Sequence, residues 1–205
     1  VAASALAWEY RELEHRYDQV QAEIRSRSPR YAALARPRPL GLRAIQEQAL
    51  DPDTLLLEYA LGEERSYLWA VSSAGYTSAV LPARARIEDL ANRVHERLTA
   101  RLRVTGGLGD QRRAVEEADE VYWKEAADLS EMLLGPVAGK LVGKKLLVVA
   151  DGALQYVPFA ALPVPGRGRA RVPLAADHEV VGLPSASVLA VLRQQPHDPA
   201  SPRGA

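Results

Sequence analysis

Few residues in this chain could carry out chemistry, and none of them is a cysteine. Without cysteine, these 205 residues can form no disulfide, no thiolate metal site and no thiol nucleophile. The four histidines are His15, His95, His178 and His197. His15 and His95 lie among charged residues on predicted helices, so we expect both side chains to be solvent-exposed. His197 falls in a terminal segment that is poor in apolar residues.

His178 has acidic neighbours and is the one histidine that could suggest a metal site. Asp177 and Glu179 flank it directly before a predicted strand. Neighbouring residues on a strand point to opposite faces, so the two acids should not converge on one ion together with His178, and only one histidine is present there. The sequence therefore predicts no metal and no cofactor.

The glycine-rich stretch 105–109 could be interpreted as a phosphate-binding loop. Such a loop follows a strand and opens a helix, so that backbone N–H groups converge on the anion. Here the glycines follow a predicted helix, and the lysine that ends a nucleotide-binding loop is missing. The pattern favours a flexible link between two helices.

No serine has the surroundings of a nucleophile. The Gly-x-Ser-x-Gly sequence of a nucleophile elbow does not occur. Ser185 and Ser187 follow Pro184 just before an apolar helical pattern, which is where a helix needs a capping side chain. We therefore interpret them as residues of a helix N-terminus.

Asp151 is the acidic residue whose position best suits a role in substrate binding. It directly follows the apolar run Leu146–Ala150, which is typical of a buried parallel strand. Ligands of α/β folds bind at the carboxyl ends of such strands, so Asp151 could contact a substrate. The simpler interpretation is an Asp-Gly turn with Gly152. Apart from this candidate, the substrate-binding residues are unknown, and these residues build no complete active site, so no catalytic residue is assigned.

The elements that must position these residues begin with an amphipathic helix. Apolar residues recur at helical spacing on one narrow stripe, and charged residues lie between them; the stripe comprises Leu6, Tyr10, Leu13, Tyr17, Val20 and Ile24. The pattern ends at Ser28-Pro29 because proline cannot continue a helix. It predicts a helical arm followed by a linker at Arg36–Leu40, and a short helix containing Leu42 and Ile45.

Short apolar runs separated by polar turns then predict an antiparallel β-meander. The runs are 54–61, 67–71 and 76–81. Two amphipathic helices follow, over about 86–103 and 112–134, before the buried strand at 146–150.

Past the buried strand we predict an extended segment at 156–162, a short strand at 178–182, and a last helix that carries Val188 and Leu192. This order predicts an α/β fold with a partly parallel sheet. The sheet has few parallel strands, so we expect the strand Leu146–Ala150 to lack one neighbour. The chain should then either self-associate or rely on the missing half of the domain.

Bulk composition excludes several classes of partner. The chain has 26 basic and 26 acidic residues, so it has no overall field that attracts nucleic acid or an anionic membrane. No apolar run has the length of a membrane span, and the N-terminus lacks the layout of a signal peptide. We predict a cytoplasmic protein with no nucleic-acid or membrane partner.

Four stretches of the sequence occur together, in order, in one known family. They are 53–71 (DTLLLEYALGEERSYLWAV), 129–137 (with Leu134-Gly-Pro136), 144–163 (KKLLVVADGALQYVPFAALP) and 178–189 (HEVVGLPSASVL). Together they resemble the opening hairpin, the following helix, the hallmark strand and the next segment of CHAT domains. CHAT domains are caspase-like modules, related to separase, that usually follow tetratricopeptide repeats. Ser28–Ala32 is also similar to the usual link from those repeats.

The resemblance implies the N-terminal part of a caspase-like α/β sandwich: a β-meander, two helices and a central parallel strand, preceded by a helical arm. On this basis, residues 1–35 are the arm linked to an upstream repeat region, 36–193 the N-terminal portion of the CHAT domain, and 194–205 a flexible tail. Members of the family use a cysteine in a Ser-Ala-Cys motif and a histidine in a His-Gly motif. Both motifs lie C-terminal to the segments matched here, so His178 is not the catalytic histidine.

The resemblance therefore implies the non-catalytic N-terminal portion of a cysteine peptidase of the caspase clan. The alternative is an enzymatically inactive CHAT protein that acts as an interaction module or signalling scaffold of the bacterial type. Implied partners are the remainder of the CHAT domain, the upstream helical repeats and, for a full-length enzyme, a protein or peptide substrate. A homo-oligomer formed through the arm is a third hypothesis.

Overall fold

A computed structural model describes residues 2–27, 38–100, 108–166 and 171–194. A five-stranded mixed sheet with the strand order β3-β2-β1-β4-β5 organises this part of the chain. The strands are β1 (Thr54–Ala60), β2 (Ser66–Ser72), β3 (Gly75–Leu81), β4 (Lys145–Val149) and β5 (Val180–Gly182). The α/β class predicted from the sequence is confirmed.

The predicted meander is present as β1, β2 and β3, which pair antiparallel in sequence order. Ser73 and Ala74 form the turn between β2 and β3, since Ser72 pairs with Gly75. Every residue of β1 from Thr54 to Leu57 is buried, whereas alternate residues of β3 are exposed. This difference places β1 at the centre of the sheet and β3 at its margin.

The apolar strand β4 pairs in parallel with β1 on one side and with β5 on the other. The expectation that β4 lacks a neighbour is therefore wrong. The residues that follow His178 supply the second neighbour: the N–H of Leu146 donates to the carbonyl of Glu179, and that of Leu183 donates to Val148, both at 2.8 Å. The outer strands of the described sheet are β3 and β5.

Two long helices cover one face of the sheet, α3 (Arg84–Ala100) and α4 (Leu108–Leu134). They bury alternate side chains of β1, namely Leu55, Leu57 and Tyr59, in the larger core cluster. The predicted helices at about 86–103 and 112–134 are thus confirmed with shifted ends. Leu108 and Gly109, assigned to a linker from the sequence, lie in α4, and the rest of that glycine stretch lies outside the described residues.

A four-residue helix, α5 (Ala138–Leu141), lies between α4 and β4. Two further helices cover part of the other face, α2 (Leu42–Gln48) and α6 (Ala186–Gln194). Their buried residues Ile45 and Ala190 pack with Leu56 and Leu147 in a second cluster. Ser185 caps α6 as predicted, because its Oγ accepts a hydrogen bond from the N–H of Val188 at 3.2 Å.

The connection that follows β4 differs from the expectation. The segment predicted to be extended over 156–162 contains part of one 3₁₀ turn, Gly152–Tyr156, and all of another, Phe159–Ala161. Leu154, Phe159 and Leu162 are buried in the larger cluster. These buried residues have neither helical nor strand spacing, so the backbone must turn repeatedly to bury them. Hydrogen bonds between residues three apart stabilise these turns.

The N-terminal helix α1 runs from Ala2 to Arg27 and contains the predicted apolar stripe from Leu6 to Ile24. From Tyr10 onward this stripe faces solvent: Tyr10 and Leu13 are both 64% exposed. Residues 28–37 and the predicted tail from 195 onward lie outside the described residues. No helix in the described ranges combines the length and apolarity that a membrane crossing requires.

Candidate functional site

The carboxyl ends of β1, β4 and β5 meet at one edge of the sheet, because these three strands run parallel. Asp151 lies at this edge, two residues beyond β4, and is partly buried. Its Oδ2 accepts a hydrogen bond from the backbone N–H of Leu61 at 2.8 Å. Asp151 therefore ties the end of β4 to the end of β1, and its use as a substrate contact stays a prediction.

The chain that leaves β1 is held by further polar contacts. The guanidinium of Arg84, at the start of α3, donates to the carbonyl of Leu61. The backbone N–H of Arg84 also donates to the carbonyl of Gly62 at 2.8 Å. A side chain at Gly62 would place its Cβ 2.4 Å from the carbonyl oxygen of Arg65, so only glycine fits there. These contacts fix the backbone around the Asp151 carboxylate.

Gly152 allows the chain to turn directly after Asp151. Its φ of +55° lies in the left-handed region that favours glycine. A Cβ at this position would lie 2.9 Å from Oε1 of Glu88 and 3.3 Å from Cδ1 of Leu61. The Asp-Gly turn predicted as the simpler interpretation is thus present, and it packs closely against α3.

An open cleft of about 490 Å³ lies beside this edge. One wall is the connection after β4, including Leu154, Val157 and Phe159, and the other includes Val180 and Gly182 of β5. The described lining contains no ionisable side chain. The cleft can therefore hold an apolar or uncharged segment next to the outer strand β5, but its described walls offer no general acid or base.

The histidines do not converge on this cleft. His15 and His95 are exposed, as predicted. Nδ1 of His178 lies 2.9 Å from the carbonyl oxygen of Lys144, at the opposite end of β4, which makes His178 a tie between segments. His197 lies outside the described residues. No group of three or more metal-ligating side chains occurs within the described ranges.

Sequence reasoning overlooked Glu58, the one charged residue in β1. Glu58 lies opposite Trp69 on β2 and beside Val149 on β4. Desolvation of the half-buried carboxylate raises the pKa of Glu58 above its usual value. The sequence did carry a signal for this residue, since Glu58 is a charged residue within a mostly apolar strand. A charged residue in a central strand is rarely fully buried, so the face that holds it is either open to solvent or covered by a partner.

The C-terminal part of the chain is similar to a known protein family. Residues 124–203 match the family model described as the CHAT domain. The match begins within α4 and includes β4, Asp151 and β5. Residues 53–71, which resemble the opening hairpin of the family, lie outside the matched range. No curated protein matches the chain. This match agrees with the resemblance to CHAT domains of the sequence segments that lie within residues 124–203.

Proposed function

We propose that residues 36–193 are the N-terminal, non-catalytic portion of a CHAT-type cysteine peptidase. The observation that carries the proposal is the outer parallel strand β5, whose carboxyl end lies at the same edge as Asp151 and the cleft. A further parallel strand added to β5 would end beside the cleft. By resemblance to the family, we expect the catalytic histidine and cysteine to lie at the ends of such strands.

In this proposal the described sheet is a scaffold for the half that carries the catalytic pair. The uncharged cleft suits the backbone and apolar side chains of a peptide, while the nucleophilic thiolate and the histidine base come from the remainder of the domain. Its partners are that remainder, an upstream helical repeat region, and a protein or peptide substrate. The proposed compartment is the cytoplasm.

The test uses the full-length protein that contains this chain. We expect its sequence to include a His-Gly and a Ser-Ala-Cys motif after residue 205, and we expect a thiol-directed electrophile to label that cysteine selectively. Replacing the cysteine with serine should abolish both labelling and peptide hydrolysis. A full-length protein that lacks the two motifs would contradict the proposal and support the non-enzymatic interaction module.

The cleft is tested separately with Gly182→Leu. An added Cβ at Gly182 meets open space, so this change adds bulk at the cleft without an immediate clash. We expect kcat/KM for a peptide substrate to fall about tenfold, because a displaced substrate loses its reactive geometry. The rate at which a small thiol-directed electrophile labels the cysteine should not change.

Gly139→Leu is the matched control for that variant. An added Cβ at Gly139 also meets open space, but Gly139 lies away from the cleft. Equal losses of activity in the two variants would contradict a substrate role for the cleft.

A further inference from the structure

The outer strand β3 presents unpaired backbone groups along its free edge. Ser72 and Gly75 pair across a two-residue turn, and alternate residues of β3 then direct their backbone toward β2. Tyr76, Ser78 and Val80 therefore direct their N–H and C=O groups away from β2. In the described part of the chain, no backbone hydrogen bond from outside the sheet reaches these three residues.

β3 also lacks the features that usually protect a free edge. Edge strands are commonly interrupted by charged residues, proline or a bulge, which oppose pairing with another chain. The seven residues of β3 include no charge and no proline, and they pair with β2 without a bulge. Tyr76 is 60% exposed and Val80 is 64% exposed. A groove of about 680 Å³ opens beside the end of the strand, at Val80 and Leu81.

The three outward residues form a pattern that complements itself. Two large apolar residues flank one small polar residue, so a second β3 in antiparallel orientation can be centred on Ser78. Tyr76 then faces Val80 of the second copy, an aromatic and β-branched pair of the kind that stabilises cross-strand contacts. Each facing pair of outward residues exchanges two backbone hydrogen bonds. The exposed apolar side chains would thus cover one another.

The charge distribution favours a second copy over a charged partner. β3 has no charged side chain that would repel its own copy or select an opposite charge. The whole chain has a formal net charge of zero at pH 7, so two copies do not repel one another overall. The other outer strand, β5, is only three residues long and follows Glu179, which pairs with Lys145.

We propose that two copies of this chain dimerise through β3, antiparallel, with Ser78 at the two-fold axis. Their five-stranded sheets then join into one continuous sheet. This interface is remote from β5 and from the cleft, so it is independent of the proposed peptidase role.

The absence of cysteine makes the register directly testable with Ser78→Cys. In the proposed dimer the two introduced sulfurs lie across the axis, and the Cα separation of facing strand residues is within the range that a disulfide spans. Mild oxidation should convert the variant into a covalent dimer. Ser73→Cys is the control, because Ser73 is equally exposed in the adjoining turn but has no counterpart at the axis. Equal cross-linking of both variants would overturn the proposal.

Sedimentation equilibrium of the 205-residue chain provides a second test. We expect a reversible monomer–dimer equilibrium whose dissociation constant rises up to about fivefold in Ser78→Lys, which places two ammonium groups opposite each other. Ser73→Lys should leave the constant unchanged. A chain that is monomeric at all concentrations would overturn the proposal.

The exposed stripe of α1 is the alternative contact between copies. Leu13→Asp combined with Tyr17→Asp places charge in that stripe without touching β3. The proposed dimer should survive this double change. Loss of the dimer in this variant, together with an unchanged dissociation constant in Ser78→Lys, would assign the interface to α1 and overturn the β3 proposal.

Discussion

At the scale of single residues, Asp151 shows how one carboxylate can combine a structural contact with a candidate functional position. Its Oδ2 satisfies the N–H of Leu61, and the two residues lie 90 positions apart in the sequence. We expect Asp151→Ala to lower the free energy of unfolding by about 1–3 kcal/mol, because the partly buried N–H loses its acceptor. Urea denaturation measures this loss.

Asp151→Asn is the matched variant, because its amide oxygen can still accept the hydrogen bond. It should cost less stability than Asp151→Ala. If the full-length protein is a peptidase as proposed, unchanged turnover of Asp151→Asn would remove Asp151 from the substrate contacts and leave only its structural role.

Glu58 predicts a pH dependence of stability. Its pKa is raised in the folded state by desolvation. A raised carboxyl pKa means that the folded state favours the protonated form, so the contribution to stability is present at low pH and is lost as the pH rises through the folded-state pKa. Glu58→Gln should therefore stabilise the chain at pH 7.

The gain from Glu58→Gln should be no more than about 1 kcal/mol, because water screens a half-exposed carboxylate. It should disappear as the pH falls below the usual pKa of a glutamate. Urea denaturation at pH 7 and at about pH 4 measures the difference. A gain that is equal at both pH values would contradict the role of ionisation.

At the scale of elements, the connection after β4 is held against α3 by a turn with little room. Gly152 and Gly143 both have positive φ, at 55° and 70°. Alanine at either position should cost about 1–2 kcal/mol of backbone strain. Gly152→Ala should cost more, because its Cβ would also press on Glu88 and Leu61, whereas the Cβ at Gly143 meets open space.

Thermal unfolding of the two alanine variants separates the two costs. Gly143→Ala measures the strain alone, and the additional loss in Gly152→Ala measures the contact with Glu88 of α3 and with Leu61, which follows β1. Equal melting temperatures would show that Glu88 and Leu61 move aside at no cost, and that the turn is not packed as tightly as the distances indicate.

At the scale of the whole molecule, the sheet predicts a gradient of local stability. β1 is central and fully buried from Thr54 to Leu57, whereas β5 is short and outermost. Amide hydrogen exchange should be slowest in β1 and β4 and faster in β5, because a short outer strand opens without disrupting the core. If β5 were as strongly protected as β1, an additional neighbour would have to cover it.

The described fold follows the sequence closely where apolar periodicity is strong. The meander, the two long helices and β4 were predictable, because each buries a regular face. The coil at 152–162 was not, because Leu154 and Phe159 are buried through 3₁₀ turns that have no sustained period. The pairing of β4 with β5 was missed because strand order depends on tertiary contacts. Asp151 was placed at the right edge, but its partner Leu61 could not be found from spacing.

The parallel pairing of β1 with β4 also has a consequence for synthesis. β2 is the next strand after β1, whereas its parallel neighbour β4 begins only at Lys145. At typical translation rates, the 90 residues from Leu61 to Asp151 take roughly 5–20 s to emerge. For that interval β1, whose residues Thr54–Leu57 are buried in the folded chain, has one side unpaired. A ribosome-associated chaperone that binds extended apolar segments would meet β1 in this window.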